Sequence, residues 1–241
     1  MEDIKILCVF LAFKNVNIIK RSFDSLSNNN LNIDFFIVEN PSKNSALIEE
    51  YFNTKNVCQY IRFENNTWGS TFGIVFKKFY DFFQNYDYIT FTDGDLVFDN
   101  TNNLYEEIIN NLNKPNVAVC ASDLKLSNLP NIPGSKKWVP TGPVENGYIS
   151  KKTGLHMVTI KKSNLNLFKG IRFVDNSLYQ HIIKHKLKWV ATLNNKGYHL
   201  TWDLYKPGNE YLQFKRSPSG KPKKINDCKF KIITDGKSIS S

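Results

Sequence analysis

Residues 88–98 have the sequence YITFTDGDLVF, and both the fold and the site depend on this stretch. Its first five residues are all β-branched or aromatic, which predicts a buried strand over 88–92. Asp93 and Asp95 follow at the point where the strand gives way to a loop. In an open α/β sheet, ligands bind at the carboxyl ends of the strands. The stretch therefore predicts a strand that delivers two acidic side chains to a binding site.

Two carboxylates separated by one residue repel each other unless a positive group joins them. A divalent cation with oxygen ligands, such as Mg²⁺ or Mn²⁺, satisfies both groups. Gly94 between them lets the backbone turn tightly and lets a ligand approach. The alternative is a solvated Asp-Gly-Asp turn without a ligand. The apolar strand before the turn favours the binding site, because it fixes both carboxylates on a rigid element.

Apolar strands alternate with helically spaced segments through the first part of the chain. Strands are predicted at 4–13, 33–38, 57–63 and 88–92, and helices at 16–26, 45–52 and 71–83. This alternation predicts an α/β fold with a mostly parallel central sheet and helices on both faces. Acidic or amide side chains follow the strands and are expected to gather at one edge of the sheet, where a nucleotide could bind: Glu39, Asn65, Asn66, Asp93 and Asp95.

The second part of the chain is predicted to continue the alternation around one long loop. Helices are expected at 104–112, 163–168 and 176–186, and strands at 117–122, 154–161 and a last one at 188–193. Residues 129–143 hold four prolines and predict a structureless loop. Long loops in compact domains are often functional, which makes Trp138 in this loop a candidate binding residue.

The net charge of +10 is concentrated at the C-terminus. Residues 204–241 hold nine Lys or Arg and three Asp or Glu, a net charge of +6, and are predicted to form a basic C-terminal extension. Such a segment can contact an anionic membrane, bind nucleic acid or remain solvated. Its basic residues include Lys215, Arg216, Lys221, Lys223, Lys224, Lys229 and Lys231.

The cysteines and the apolar runs predict a cytoplasmic protein. The four cysteines are far apart and none belongs to a C-x-x-C pair, which favours a reducing compartment. Cys8 and Cys120 lie in apolar runs and are expected to be buried thiols. No leader is expected from the acidic start of the chain, and no run approaches the roughly 20 apolar residues of a membrane span.

The order of these motifs resembles the GT-A glycosyltransferases, most closely the inverting family 2 type, over residues 4–203. The residues that carry the resemblance are Asp93-Gly94-Asp95 for the D-x-D motif, 38–42 (VENPS) for V-D-N-G-S, 65–69 (NNTWG) for N-x-G-x-G, 173–176 (FVDN) for the acidic motif of the acceptor half, and His199 with Trp202 for H-x-x-W. The chain departs from the family pattern at Glu39, Pro41 and the single acid Asp175.

The resemblance implies a domain of residues 1–203, with a nucleotide-sugar-binding half at 1–98 and an acceptor half at 99–203. It implies a glycosyltransferase that uses Mn²⁺ or Mg²⁺ and inverts the configuration at the transferred sugar carbon. The implied donor is a nucleotide-diphosphate sugar, and the implied acceptor is a glycan, a lipid-linked molecule or a protein. No nucleic-acid partner is expected. The implied metal ligands are Asp93, Asp95 and His199, and the implied base is Asp175. The nucleotide-sugar contacts would come from Glu39, Asn65, Asn66, Gly69, Asp93 and Gly94, and the acceptor contacts from Trp138 and Trp202.

Simpler roles remain open for several of these residues. Asp175 can instead cap the helix predicted at 176–186, and His199 can be a histidine packed among aromatic rings. His156 falls in the strand predicted at 154–161 and is expected to be structural. His181 and His185 share one helix face without a third ligand, which favours a solvated face.

Two rival functions are compatible with parts of the sequence. Asp93-Gly94-Asp95-Leu96-Val97 fits the nucleophile motif of haloacid dehalogenase-like phosphatases. That motif normally opens the domain, whereas three strand–helix units precede it here. A basic nucleic-acid-binding protein is suggested by the charge, but the basic residues concentrate in the C-terminal segment.

Overall fold

The computed structural model describes residues 4–206, 208–216 and 228–235. Its strands are β1 Ile6–Ala12, β2 Ile33–Glu39, β3 Gln59–Phe63, β4 Tyr88–Asp93, β5 Leu96–Val97, β6 Val117–Leu124, β7 Val144–Glu145, β8 Tyr148–Ser150, β9 Met157–Lys161, β10 Lys188–His199 and β11 Phe230–Asp235. Its helices are α1 Val16–Ser27, α2 Ser45–Asn53, α3 Thr71–Lys78, α4 Tyr80–Phe83, α5 Thr101–Leu112, α6 Asp175–Lys184 and α7 Glu210–Arg216. Short 3-10 turns lie at Trp68–Ser70, Ser135–Trp138, Lys162–Phe168 and Leu200–Leu204.

The described strands form one sheet in the order β11-β3-β2-β1-β4-β9-β6-β10-β8-β7, with β5 paired to the end of β10. β1 to β4 run parallel to one another, and β6 runs parallel to β10. β9 lies antiparallel between β4 and β6 and joins the two parallel groups. The predicted α/β fold with a mostly parallel central sheet is therefore confirmed.

Two apolar layers cover the two faces of this sheet. Alternate residues of β1 point to opposite faces, so Phe10 packs with Phe23 of α1 while Val9 belongs to the layer beneath α3. In that second layer Phe91 of β4 packs against Phe173, with ring centroids 4.7 Å apart. Aromatic side chains from both halves of the chain thus fix the loop before α6 against the central strand.

Four local predictions are wrong. The helix predicted at 71–83 is two helices that break at Phe79. The strand predicted at 188–193 continues to His199, because the Glu107 carboxylate accepts hydrogen bonds from the backbone N–H groups of residues 194 and 195 and supports an irregular stretch. The loop 129–143 contains the 3-10 turn Ser135–Trp138. His156 lies in the turn before β9 and not in a strand.

The C-terminal segment contributes to the sheet in part. β11 pairs antiparallel with β3, so residues 230–235 form an edge strand of the central sheet. Lys221, Lys223 and Lys224 of the predicted basic extension lie outside the described residues. Among the helices that the structure describes, none combines the length and the hydropathy needed to cross a bilayer.

Candidate active site

A cavity of about 470 Å³ opens at the carboxyl end of β4. It brings together six of the residues predicted from the sequence: Asp93, Asp95, Trp138, Asp175, His199 and Trp202. These residues come from β4, the Pro-rich loop, the start of α6 and the end of β10, which are up to about a hundred positions apart in the chain. The sheet order places all of these element ends at one edge, where α/β proteins bind ligands.

The acidic turn is packed tightly against the neighbouring strand. A Cβ atom at Gly94 would lie 2.3 Å from the Leu11 carbonyl oxygen, so this position accepts only glycine without a backbone shift. The Asp93 backbone N–H donates to the His156 carbonyl (2.8 Å), and the Asp95 carbonyl accepts from the Leu200 N–H (2.8 Å). The turn is therefore held by three neighbouring segments, and the backbone positions from which both carboxylates project are fixed.

The Asp95 carboxylate has one engaged oxygen and one oxygen without a partner. The Thr201 hydroxyl donates to Asp95 Oδ2 at 2.7 Å, and His199 Nδ1 lies 3.6 Å from the same oxygen. Asp95 Oδ1 is buried and accepts no hydrogen bond from the part of the chain that the structure describes. A buried carboxylate oxygen without a partner costs about 1–3 kcal/mol, and a cation or another ligand at this oxygen would offset that cost.

The contacts of Thr201 also orient His199. Thr201 Oγ1 lies 3.1 Å from His199 Nδ1. Because the single hydroxyl proton of Thr201 goes to Asp95, a hydrogen bond at this distance requires Nδ1–H of His199 to donate. In the neutral imidazole, Nε2 then carries the lone pair. The ring of His199 is also stacked on Trp202, with centroids 4.6 Å apart and planes 3° from parallel, so its direction is fixed.

His156 is one of the site residues that were not predicted from the sequence. Its Nδ1 lies 3.5 Å from Asp93 Oδ2, and its ring stands nearly perpendicular to that of His199 with centroids 5.1 Å apart. It reaches the site because β9 is inserted antiparallel next to β4. In the sequence, His156 falls in the apolar segment predicted as a strand at 154–161. Such a segment does not reveal which strand of the sheet will pair with it.

Aromatic side chains form one wall of the cavity. The Trp138 ring lies 6.1 Å from that of Trp202 and 5.7 Å from that of Tyr205, measured between centroids. Trp138 is 36% exposed, so part of its face remains available to a ligand. Burial, together with the charges of Asp95 and Asp93, raises the pKa of Tyr205 to about 12, and this phenol keeps its proton at neutral pH.

Asp175 also lines the cavity, and its carboxylate is half-exposed. It is the first residue of α6, and the N-cap position belongs to Val174, which provides no side-chain cap. The alternative that Asp175 is the N-cap of this helix is therefore wrong, although an acid in the first turn still suits the helix dipole. The Nζ of Lys152 lies 3.7 Å from Asp175 Oδ2, and Lys152 also lines the cavity.

The other predicted donor contacts lie outside this cavity. Glu39 is fully buried, and its Oε2 accepts from Arg62 Nε at 2.7 Å and from the Tyr60 hydroxyl. Asn65 is exposed at the end of β3. Gly69 lines a separate groove beside α3.

A residue not predicted from the sequence, Asn40, joins the turns that follow β2 and β3. Its Oδ1 accepts from the Thr67 N–H (2.9 Å) and the Thr67 hydroxyl (2.8 Å), and its Nδ2 donates to the Thr71 hydroxyl (3.1 Å). Asn40 is 3% exposed, so these bonds are shielded from water. The turn that contains Asn65, Asn66 and Gly69 is thereby tied to the end of β2.

The described residues contain no group of three or more His, Cys, Asp or Glu side chains arranged to hold a metal ion by themselves. Mg²⁺ bound with phosphate substrates uses only one or two carboxylates, and the phosphates supply further ligands. The buried Asp95 Oδ1, which has no partner among the described residues, fits a metal of this kind together with Asp93 two positions earlier.

The sheet order and the acidic turn at its carboxyl edge define the GT-A type of nucleotide-diphospho-sugar transferase fold. Residues 8–166 match the model of the Glycosyl transferase family 2. The chain belongs to this family, as its motifs suggested.

Among solved structures, the chain is similar to the mannosyltransferase PcManGT of Pyrobaculum calidifontis, whose structure is a complex with GDP-Man and Mn²⁺. The TM-score is 0.63 at 8% identity, over 90% of this chain and 64% of that one. It is also similar to residues 1–349 of TarS of S. aureus in complex with UDP-GlcNAc, with a TM-score of 0.54 at 13% identity, over 81% of this chain and 58% of that one. At these identities the likeness concerns the fold.

Among curated sequences, the chain is similar to uncharacterized proteins of Acanthamoeba polyphaga mimivirus. One is 32% identical over 95% of this chain, and a second is 34% identical over 88% of it. The chain spans 50% of the length of the first relative and 26% of the second.

Proposed function

We propose that this chain transfers a sugar from a nucleotide-diphosphate donor to a hydroxyl group of an acceptor, with a divalent metal ion and with inversion at the sugar carbon. The observation that carries the proposal is the buried Asp95 Oδ1, which has no partner among the described residues and lies at the carboxyl edge of a GT-A sheet. Family membership supports the reaction class, and the Mn²⁺ and GDP-Man of PcManGT support the cofactor and the donor class.

In this proposal the donor diphosphate lies over the acidic turn. Asp95 would hold Mn²⁺ or Mg²⁺, and Asp93 would bind the same ion or the donor ribose. His199 approaches through Nε2, because its Nδ1 faces Thr201. When bound, the metal ion would offset the negative charge that develops on the leaving diphosphate.

Other contacts to the nucleotide sugar would come from the neighbouring turns. Gly94 permits close approach of the backbone, and Asn65 and Asn66 belong to the turn tied to Asn40. Gly69 is left out of the proposed contacts, because it lines the separate groove beside α3. Glu39 is left out of the proposed contacts, because Arg62 and Tyr60 engage its carboxylate.

Asp175 would act as the general base. Inversion requires a group that accepts the proton of the acceptor hydroxyl during in-line attack. Asp175 lines the cavity that contains the acidic turn, and its carboxylate is 44% exposed, so an acceptor can reach it. Trp138 would form the acceptor platform, because its partly exposed aromatic face suits a sugar ring, and Trp202, which is 4% exposed and packs against Trp138, would support it. A glycan, a lipid-linked glycan and a glycoprotein all provide such an acceptor.

A panel of nucleoside diphosphates and nucleotide sugars, each with and without Mn²⁺, tests the proposal by thermal denaturation. A ligand at a hundred times its Kd stabilises the native state by about 2.7 kcal/mol. For a chain of this size, that corresponds to a rise in Tm of roughly 5–11 °C. We expect one nucleotide base to give such a rise only with Mn²⁺. Absence of a shift with every nucleotide, together with metal-dependent hydrolysis of p-nitrophenyl phosphate, would favour the phosphatase instead.

A further inference from the structure

A second groove, of about 840 Å³, lies between α3 and the segment 169–174 that leads into α6. Its floor is formed by Gly73 and by apolar side chains, including Phe76 and Phe173, whose rings stack with centroids 5.1 Å apart. Its rim carries four basic side chains: Lys77, Lys78, Lys169 and Arg172. All four residues are exposed, and we call this feature the basic groove.

The charge of the basic groove is of one sign. None of its described lining residues is acidic, whereas the cavities beside α1, β4, α5 and β9 all include acidic residues. Among the described residues, the four basic side chains form no ion pair. Lys169 lies over the ring of Tyr80 (4.7 Å to the centroid) and Lys78 over the ring of Phe230 (5.5 Å). These ring contacts leave the charges unneutralised, so the groove attracts anions.

The basic groove ends beside the proposed base. Val174 lines the groove, and the next residue, Asp175, lines the cavity of the acidic turn. Phe173 anchors this junction by packing on Phe91 of β4, two residues before Asp93. The basic groove and the cavity of the acidic turn thus have linings that meet at two consecutive residues, Val174 and Asp175.

We propose that the basic groove binds the phosphate groups of the acceptor, so that the acceptor is a phosphate-bearing glycan whose terminal hydroxyl reaches Asp175. This inference rests on the proposed sugar transfer. The guanidinium of Arg172 suits a phosphate in bidentate fashion, and lysine ammonium groups bind phosphates as point charges. Separate charges along the rim suit several phosphates in succession, and the apolar floor suits the carbon skeleton between them.

Fluorescence anisotropy with a labelled, short glycerol phosphate oligomer tests the proposal, with a labelled neutral dextran of similar length as the uncharged probe. We compare the full chain with Lys169→Gln/Arg172→Gln, and with the control pair Lys162→Gln/Lys184→Gln. The control removes the same charge from two exposed residues outside the groove. We expect salt-sensitive binding of the oligomer only, weakened at least about tenfold in the groove variant and less than about twofold in the control.

Equal weakening of oligomer binding in both variants would overturn the proposal, and so would a lack of oligomer binding to the unmodified chain. A third such outcome is that the unmodified chain binds a single-stranded RNA of equal charge more tightly than the oligomer, and that the groove variant loses this RNA binding. The last result would assign the groove to nucleic acid. The nucleotide-dependent rise in Tm is measured on the same variants. If a nucleotide raises the Tm of the unmodified chain but that chain does not bind the oligomer, the groove inference is wrong and the proposed function stands. If no nucleotide shifts the Tm of the unmodified chain, the proposed function fails first.

Discussion

Replacing Arg62 with Met would isolate a buried charge at the end of β2. Arg62 Nε lies 2.7 Å from Glu39 Oε2, and its two terminal nitrogens contact Glu49 at 2.9 Å and the Ser45 carbonyl at 2.8 Å. Glu39 is fully buried, and its Oε1 has no partner within the described ranges. Removing one member of a buried ion pair costs about 3–5 kcal/mol, because the remaining charge stays in a medium of low polarity.

Urea unfolding at 25 °C, followed by tryptophan fluorescence, measures this loss as a change in the free energy of unfolding. We expect Arg62→Met to lose about 3–5 kcal/mol and Glu39→Gln/Arg62→Met to lose clearly less, because the double variant removes the unpaired charge. Lys55→Met is the control: it breaks an ion pair with Asp24, which is 53% exposed, and should cost at most about 1 kcal/mol. A loss below about 1 kcal/mol for Arg62→Met, or a double variant at least as unstable as Arg62→Met alone, would refute a structural role for Glu39.

Three further predictions address the site and the core. Gly94→Ala should lower the free energy of unfolding, measured with urea, by about 1–3 kcal/mol and weaken nucleotide binding, because the alanine Cβ would meet the Leu11 carbonyl. An unchanged free energy of unfolding together with an unchanged nucleotide Kd would contradict the close packing. Asp175→Asn should lower the transfer rate by about 10²–10⁴ while the nucleotide Kd stays within about twofold, and an unaltered rate would remove Asp175 as the base. Burial raises the pKa of Cys8 and Cys120 to about 12, so Ellman's reagent at pH 8 should label neither thiol until the chain is unfolded; rapid labelling of either in the native protein, mapped by mass spectrometry, would contradict their burial.

The parallel part of the fold was predictable because its strands are short apolar runs closed by polar residues. The strand before Asp93 was predicted over 88–92 and is observed over Tyr88–Asp93, and the strand predicted at 33–38 is observed over Ile33–Glu39. Such runs are recognisable in the sequence because both faces of a central strand are buried. The burial predicted for Cys8 and Cys120 is confirmed for the same reason.

The missed features depend on partners that are distant in the chain. β10 continues past residue 193 through a polar stretch, because Glu107 of α5 accepts hydrogen bonds from its backbone; polar residues alone indicate a loop. His156 enters the site through the antiparallel insertion of β9. β11 lies in a segment whose composition is dominated by charge, and only its pairing with β3 makes it a strand.

The sequence was sufficient to predict most of the residues that line the candidate site. It did not reveal which of the predicted residues point away from it. The D-x-D turn, Asp175, His199 and the two tryptophans line one cavity, because each follows or precedes a strand or helix that ends at the same edge of the sheet. Glu39 follows a strand in the same way, but its side chain turns inward to Arg62. The position of a residue at a strand end thus predicts the edge of the sheet and leaves the direction of its side chain to packing.

In the proposed function, Asp95 would hold the metal ion that offsets the charge of the donor diphosphate. Isothermal titration calorimetry of UDP and GDP, each with and without Mn²⁺, tests it on the unmodified chain, on Asp95→Asn and on the control Asp99→Asn, whose side chain is 85% exposed. We predict that one nucleotide binds the unmodified chain and the control only with Mn²⁺, and that Asp95→Asn weakens this binding more than about tenfold. Equal, Mn²⁺-dependent affinity in Asp95→Asn and the unmodified chain would contradict the claim.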